Sequence, residues 1–290
     1  MACFTAFETA HTVRAMRTVL LLLASVLAAG CPKPRASAAT QPMPAAFDPA
    51  DSDAKALELA DVGLAALGGY DKWTKLKELQ FSAKYSLDGQ LKLWAIHQWD
   101  RWNGRHNLKM VDLASLASGN PDDMVVREVR YDLFDASRKP YATFDGKDIM
   151  REDADKAAAD ARTRVNIEGY LFTLTYRMRD PGVHLAATGA VKIEGLCEAC
   201  ETIKLTYDSV VGKDIWTVSF DPATKLPVAI GQEIPGKGLI GYKIDGWQDA
   251  GGLKWPVKLQ NLGLAGEIWE FGNVAVGEPD DYDYMRAVGH

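Results

Sequence analysis

The residues between about 78 and 276 repeat one pattern, in which short segments of alternating apolar and polar side chains are separated by turn-forming residues. Alternation with a period of two is typical of strands that bury one face. Asp88-Gly89, Asn103-Gly104 and Asp145-Gly146 separate neighbouring segments and favour tight hairpins. Strands joined by tight hairpins run antiparallel. We predict strands at 79–87, 91–102, 106–113, 124–134, 141–144, 147–150, 190–196, 202–207, 214–220, 227–234, 239–247, 253–262 and 267–276.

Two segments carry helical periodicity instead. Apolar residues recur at helical spacing over 54–67, between the possible N-caps at 51–53 and the stop signal Gly68-Gly69. A second helical segment is predicted at 152–179, where Pro181-Gly182 ends it. Its first half is charged and rich in alanine, whereas its second half, IEGYLFTLTYRMR, is bulky and apolar. We therefore expect the second half to pack on the sheet.

This element order predicts an α+β fold. A sheet of about 10–12 consecutive antiparallel strands is too wide to stay flat, so we expect it to curve strongly into a half-barrel. The helix at 54–67 precedes the sheet, and the inserted helix would cover its concave face. No linker interrupts residues 54–284, which we interpret as one domain.

The first thirty residues have the pattern of an export signal. Arg14 and Arg17 precede the apolar run TVLLLLASVLAA, which is too short to span a bilayer. Met16 would begin a cleaner signal, so the true start is either Met1 or Met16. Residues 31–53 follow as a tether rich in Pro and Ala.

The end of this signal, Ala29-Gly30-Cys31, resembles a bacterial lipoprotein signal, although Ala28 stands where such signals usually have Leu. The resemblance implies cleavage before Cys31, a diacylglycerol on its sulfur and an acyl group such as palmitate on the new amino terminus. Pro32, where Asp would favour the inner membrane, favours the periplasmic face of the outer membrane of a Gram-negative bacterium. The alternative is a plain secretory signal with an incidental cysteine.

Charge excludes one class of partner. The formal net charge is −6 and no block of Lys or Arg occurs, which argues against nucleic acid as the main partner. The 47% of hydrophobic residues is ordinary for a folded protein.

Four stretches, LAALGGYDKWTKLKELQFSAKY, WTVSFDPATKLPVAI, GYKIDGWQDAGGLKWPVKLQ and EIWEFGNVAV, together resemble the LolA/LolB-like superfamily of lipoprotein-carrier half-barrels. The resemblance implies a non-catalytic protein with an apolar cavity that takes acyl chains. A packed core would use the same residue types. The candidate lining residues are Trp94, Ile96, Trp99, Leu171, Phe172, Trp216, Val218, Phe220, Tyr242 and Trp269.

Cys197 and Cys200 form a CxxC pair between two predicted strands. Such a pair is a redox dithiol, half of a zinc site, or a local disulfide. Strands flank it, and no second ligand pair for zinc is visible. An oxidising envelope favours the disulfide.

Of five histidines, His97 and His106 lie on neighbouring predicted strands and can approach each other. No third metal ligand is predictable there, so we predict no metal site. The sequence contains no GxSxG, HExxH, P-loop or GxGxxG motif, and we assign no cofactor and no catalytic residue. Three hypotheses follow: a lipid-binding envelope lipoprotein, a structural or interaction protein with a filled core, and an envelope enzyme with a site near His97 and His106.

Overall fold

The computed structural model describes residues 46–236 and 238–284. It contains a sheet of thirteen antiparallel strands and a separate pair of strands. The sheet is open, so the expected α+β fold with a half-barrel sheet is confirmed. The strands are β1 (Glu78–Leu87), β2 (Gln90–Asp100), β3 (Arg105–Val111), β4 (Val126–Asp132), β5 (Tyr141–Phe144), β6 (Lys147–Asp148), β7 (Val183–Ile193), β8 (Cys197–Tyr207), β9 (Ile215–Phe220), β10 (Pro227–Ile234), β11 (Gly238–Ile244), β12 (Trp247–Ala250), β13 (Leu253–Pro256), β14 (Lys258–Asn261) and β15 (Glu267–Gly277).

The helical elements are few and mostly short. The α-helices are α1 (Ala54–Ala66), α2 (Tyr70–Lys75), α3 (Arg151–Arg164), α4 (Tyr170–Thr173) and α5 (Asp281–Tyr284). A π-helical turn (Val165–Gly169) and a 3-10 helix (Leu174–Arg179) extend the helical structure on either side of α4. Other 3-10 helices are Pro49–Asp51, Leu113–Ser118 and Pro121–Asp123. None of the described helices is long and apolar enough to cross a membrane.

The order of strands explains how the inserted helical structure is placed. The large sheet runs β6-β5-β4-β3-β2-β1-β15-β14-β11-β10-β9-β8-β7, so β1 and β15 pair in its middle. Its two free edges, β6 and β7, are consecutive in the sequence. Residues 151–179, named here the inserted segment, therefore start at one edge and end at the other. The segment crosses the inner face of the sheet, as the sequence predicts.

Two of the predicted hairpin turns have the conformation that their residues favour. Asp88 and Gly89 have φ of 50° and 74°, and Asp145 and Gly146 have φ of 51° and 70°. Positive φ at both central residues defines a type I′ turn, whose twist matches that of the strands. These turns fix the registers of β1 with β2 and of β5 with β6.

Some strand boundaries differ from those expected. The predicted strands at 239–247 and 253–262 each divide into two, because the chain turns at Gly246, with φ of 92°, and at Val257. This produces the separate β12–β13 pair, whose reversal lies at Gly251 and Gly252 as predicted. The predicted strand at 190–196 begins earlier, and its first residues pair with the end of β8.

The signal segment 1–30, Cys31 and the tether up to residue 45 lie outside the described residues. The last residues assigned to the tether make contacts with the sheet. The backbone N–H of Asp53 donates to the carbonyl of Leu185 at 2.9 Å, and the Ser52 hydroxyl accepts from the Leu185 N–H at 2.9 Å. Asp53 also accepts from the backbone of Ala187 at 3.0 Å. These bonds cover the first part of the free edge of β7.

Candidate functional site

The inserted segment meets the sheet through a continuous stack of rings. His97 on β2 lies flat on Phe81 of β1, with ring centroids 4.4 Å apart and an interplanar angle of 4°. Phe81 stacks on Phe172 of α4 at 4.3 Å, and Phe172 stacks on Trp255 of β13 at 5.2 Å. Each aromatic ring of this stack is less than 2% exposed. One ring of the segment is thus held between rings of the two sheets.

Most of the predicted lining residues belong to the cluster that contains this stack. Trp99 packs partly buried against it. The side chains fill the space between segment and sheet, as a packed core does. The seven buried members from the predicted set are Leu171, Phe172, Trp216, Val218, Phe220, Tyr242 and Trp269.

The structure places Trp94 and Ile96 apart from the other predicted lining residues. They alternate along β2 with Ala95 and His97, which are fully buried on the inner face. Alternation therefore directs Trp94 and Ile96 to the opposite face. There the ammonium of Lys84 lies 4.3 Å from the centroid of the Trp94 ring.

A recess of about 290 Å³ lies away from the ring stack, along β3, β4 and β5. None of the ten predicted residues lines it. Its walls are apolar apart from one carboxylate and one guanidinium, and the guanidinium of Arg127 lies 5.8 Å from the centre of the Phe144 ring. The lining residues are Met110, Val111, Asp112, Arg127 and Phe144.

A polar chain runs alongside the stack, beneath the π-helical turn. The carboxylate of Glu168 accepts a hydrogen bond from His97 Nε2 at 2.8 Å. His97 Nδ1 lies 3.4 Å from His106 Nε2. The other Glu168 oxygen accepts from Arg164 Nη1 at 3.2 Å. His97, His106 and Glu168 are each at most 1% exposed, whereas the Arg164 side chain is 36% exposed.

The predicted approach of His97 and His106 is thus observed, but Glu168 was not predicted to join them. The sequence contained two signals for it. Glu168 is the only acidic residue in the bulky half of the segment, residues 167–179. It also follows Arg164 by four positions, a spacing that brings side chains together on a helix. Glu168 lies in the π-helical turn, a local irregularity that is frequent at functional sites.

Burial sets the protonation of His106. Desolvation, with a smaller contribution from neighbouring His97, holds the pKa of His106 well below its ordinary value. The neutral ring has one N–H to donate. When Nε2 carries that proton it donates to His97 Nδ1, which leaves His97 to donate from Nε2 to the carboxylate. His106 Nδ1 then remains buried, without a hydrogen-bond partner among the described residues.

The three groups form a chain and do not converge on one point. Glu168 and His106 bind opposite nitrogens of His97, so their ligand atoms do not face a common centre. Within the part of the chain that the structure describes, no group of three or more His, Cys, Asp or Glu side chains is arranged to hold a metal ion. The arrangement can transfer protons between the rings and the carboxylate.

A second set of charged groups, Arg101, Arg177 and Asp180, lies at the other end of the inserted segment. The guanidinium of Arg101 lies 3.5 Å from the centre of the Trp73 ring and donates to the carbonyls of Trp73 and Leu76 at 2.6 and 2.9 Å. Burial lowers the pKa of Arg101 to about 10, so it stays charged at neutral pH. Burial raises the pKa of Asp180, and the charges of Arg177 and Arg101 oppose that rise. Asp180, the residue that follows the segment, is therefore under the electrostatic influence of two arginines.

Cys197 and Cys200 are joined in a disulfide at the start of β8. Their partners across the hairpin are Ile193 and Val191. The bridge therefore lies at the tip of the β7–β8 hairpin. It lies outside the ring stack and the polar chain.

No protein-family model and no curated protein matches the sequence. Among solved structures, the chain is similar to a DUF1329 family protein from Desulfovibrio piger, with 8% identity, a TM-score of 0.41, and coverage of 80% of this chain and 97% of the other. It is similar to a domain described as outer membrane lipoprotein-sorting, from Vibrio parahaemolyticus, with 11% identity, a TM-score of 0.40, and coverage of 79% and 96%. A chain of the MucA/MucB complex of Pseudomonas aeruginosa has 16% identity, a TM-score of 0.21, and coverage of 79% and 61%.

At these TM-scores the similarity carries neither ligand nor partner from those proteins to this chain. The chemistry of the chain has to be inferred from its own residues.

Proposed function

We propose that this protein binds an apolar chain, such as an acyl chain of a lipid or lipoprotein, between the inner face of the sheet and the inserted segment. The observation that carries the proposal is the path of that segment. It joins the two free edges of an open sheet and covers the inner face with its own apolar side chains, Leu171, Phe172, Leu174 and Tyr176. These side chains occupy the volume that an apolar ligand would take.

Exchange between segment and ligand is close to balanced in free energy. Burial of one large apolar side chain stabilises by about 1.5–3 kcal/mol, so four contribute about 6–12 kcal/mol. An acyl chain that buries a dozen methylenes gains about 10 kcal/mol at roughly 0.8 kcal/mol each. Because these two gains from apolar burial are similar, an acyl chain can compete with the segment for the inner face. The irregular helix of the segment, with its π-helical turn and 3-10 helix, supports its role as a movable cover.

We propose binding and not catalysis, with no cofactor. His97 and His106 are both buried at the inner face, and each lies against the other. Three of their four ring nitrogens face each other or Glu168, and the fourth, His106 Nδ1, is buried. His97 and His106, on which the enzyme hypothesis rests, thus serve as hydrogen-bonding groups at the interface between segment and sheet.

The location that fits this function is the cell envelope, with the domain held at the membrane by a lipid on Cys31. The signal pattern in residues 1–31 supports this proposal. Subcellular fractionation of wild type and Cys31→Ser tests it. We expect wild type in the membrane fraction and the variant in the soluble periplasmic fraction. Equal distribution of both proteins would contradict the anchor without affecting the ligand proposal.

Binding is tested with the full-length purified protein, stripped of lipid and titrated with a fluorescent fatty acid at pH 7.5. We expect saturable binding by wild type and several-fold tighter binding by Phe172→Ala, because removal of the stacked ring leaves space for the ligand. The matched control is Phe134→Ala, which removes a ring that is 70% exposed. This control should bind as wild type does.

Two results would contradict the proposal. One is the absence of saturable binding by both wild type and Phe172→Ala. The other is equal effects of Phe172→Ala and Phe134→Ala, which would place the probe elsewhere on the surface. Either result would favour a structural or interaction protein with a filled core.

A further inference from the structure

The contact between the π-helical turn and the sheet depends on protons. Glu168 belongs to the inserted segment, His97 to β2 and His106 to β3, so their hydrogen bonds cross the interface that a ligand would have to open. All three side chains are buried. Neighbouring aromatic rings exclude water from them, since Phe81 covers His97 and the Tyr131 ring lies 5.2 Å from His106.

With one proton on each ring, the hydrogen bonds that join the three side chains are all formed. His106 donates to His97, His97 donates to Glu168, and the charge of Glu168 is balanced by Arg164. A proton added to His97 Nδ1 would face the proton on His106 Nε2 across 3.4 Å. His106 would then have to carry its proton on Nδ1, where no acceptor lies among the described residues.

A second added proton has no place in the closed structure. Both rings would then be imidazolium ions in direct contact inside the protein. The single carboxylate of Glu168 would have to balance their two charges and that of Arg164. Like charges at this distance, away from water, strongly disfavour double protonation. Once the segment leaves the sheet, both rings reach water and take up protons at their ordinary pKa of about 6.5. The open state therefore binds more protons than the closed state.

We propose that His97, His106 and Glu168 form a proton-sensitive latch, which fastens the inserted segment to the sheet at neutral pH and releases it in acid. The inference rests on the proposed function for its biological meaning, since release would expose the apolar inner face to ligand. The latch itself is a property of the protein without ligand.

The other charged and titratable groups that face the latch do not change charge between pH 5 and 8. Arg164 on α3 and Arg162, whose guanidinium lies 5.2 Å from the centre of the Tyr131 ring, remain cationic. Tyr131 on β4 remains protonated, because burial raises its pKa and its hydroxyl donates to the carbonyl of Ala161 at 3.0 Å. The imidazole of His106, whose pKa burial lowers in the closed structure, is the group that responds in this range.

The test is hydrogen–deuterium exchange of the full-length protein without ligand at pH 7.5 and pH 5.5, corrected for the intrinsic pH dependence of exchange. We expect amides of residues 165–179 to exchange several-fold and up to about tenfold faster at pH 5.5, since one extra proton in the open state shifts the equilibrium by up to about tenfold per pH unit below 6.5. Amides of β10, which pairs with β9 on one side and β11 on the other, serve as the internal reference and should not change.

Variants identify the groups responsible. In His106→Gln the amide keeps a hydrogen bond to His97 but takes up no proton, so we expect most of the pH effect on residues 165–179 to disappear. His184→Gln is the matched control, because His184 lies half-buried on β7 and pairs with Asp208 at 2.9 Å, outside the latch. It should keep the effect. If His106→Gln does not fold, His106→Leu provides the same test with an apolar side chain.

Equal exchange of residues 165–179 at both pH values in wild type would overturn the latch, as would an undiminished pH effect in both His106 variants. Binding of the fatty-acid probe at pH 7.5 is measured separately. Loss of the latch with binding retained would leave the proposed function in place. A pH-dependent segment without any binding would refute the function and keep the latch.

Discussion

Phe172 of the inserted segment stacks on Phe81 of β1 with their ring centroids 4.3 Å apart. The contact joins the segment that crosses the sheet to the strand at its centre. Both rings are completely buried. The free energy of unfolding of this protein should therefore depend on the segment as strongly as on the sheet.

Replacing Phe172 by Ala should lower the free energy of unfolding by about 3–5 kcal/mol, because a buried ring is lost and a cavity remains. Urea denaturation followed by tryptophan fluorescence measures this loss. Phe134→Ala, which changes an exposed ring, should cost less than about 1 kcal/mol. Equal costs for both variants would mean that the segment does not contribute to the cooperative core.

Replacing Glu168 by Ala should destabilise the protein by about 1–3 kcal/mol, since it leaves the buried N–H of His97 without its acceptor. Glu168→Gln should cost less, because the amide oxygen still accepts a hydrogen bond from His97. Thermal and urea unfolding compare the two. Glu58→Ala, whose side chain is 69% exposed on α1, is the control and should have little effect. A ranking with Glu168→Gln as the more harmful change would contradict the hydrogen-bond assignment.

Stability should fall as the pH is lowered below about 6.5, the ordinary pKa of histidine. The pKa of His106 is lowered in the folded protein, so the unfolded chain binds more protons than the folded one in this range. The free energy of unfolding then decreases by up to about 1.4 kcal/mol per pH unit, and no such decrease arises from His106 above pH 6.5. Urea titrations at a series of pH values measure the slope. We expect His106→Gln to reduce it and His184→Gln to leave it in place.

A comparison of Gly68 with Gly69 separates the cost of backbone strain from the cost of a steric clash. Both have positive φ, 111° and 104°, so alanine is strained at either position. A Cβ at Gly68 would lie 2.3 Å from the carbonyl oxygen of Gly252, whereas at Gly69 nothing lies within 4 Å. Gly68→Ala should therefore cost clearly more stability than Gly69→Ala in the same urea assay. Equal costs would show that strain alone, and not the approach to Gly252, requires glycine at position 68.

Local signals made the hairpins predictable. Asp88-Gly89 and Asp145-Gly146 determine turn geometry from two residues, and alternation on either side determines which side chains share a face. The approach of His97 and His106 followed from the same logic, because it needs only one hairpin. The sequence also predicted that the bulky half of the inserted segment would lie on the sheet.

The face of a particular side chain was less predictable. Trp94 and Ile96 look like lining residues by size, yet His97 and Ala95 take the inner face of β2. A strand with bulky residues on both faces does not reveal which face is covered. That choice depends on the register with β1 and on the segment that packs above it.

The sequence by itself determined the tight turns and the antiparallel pairing of the strands that they join, because each depends on neighbours a few residues apart. The width of the sheet also depends on the pairing of β1 with β15, which are far apart in the chain. Only the tertiary structure decided that Glu168 meets His97 and that Phe172 fills the space between Phe81 and Trp255. These contacts join residues far apart in the chain. They exist because the segment must cross from one free edge of the sheet to the other, and that path is set by the complete order of the strands.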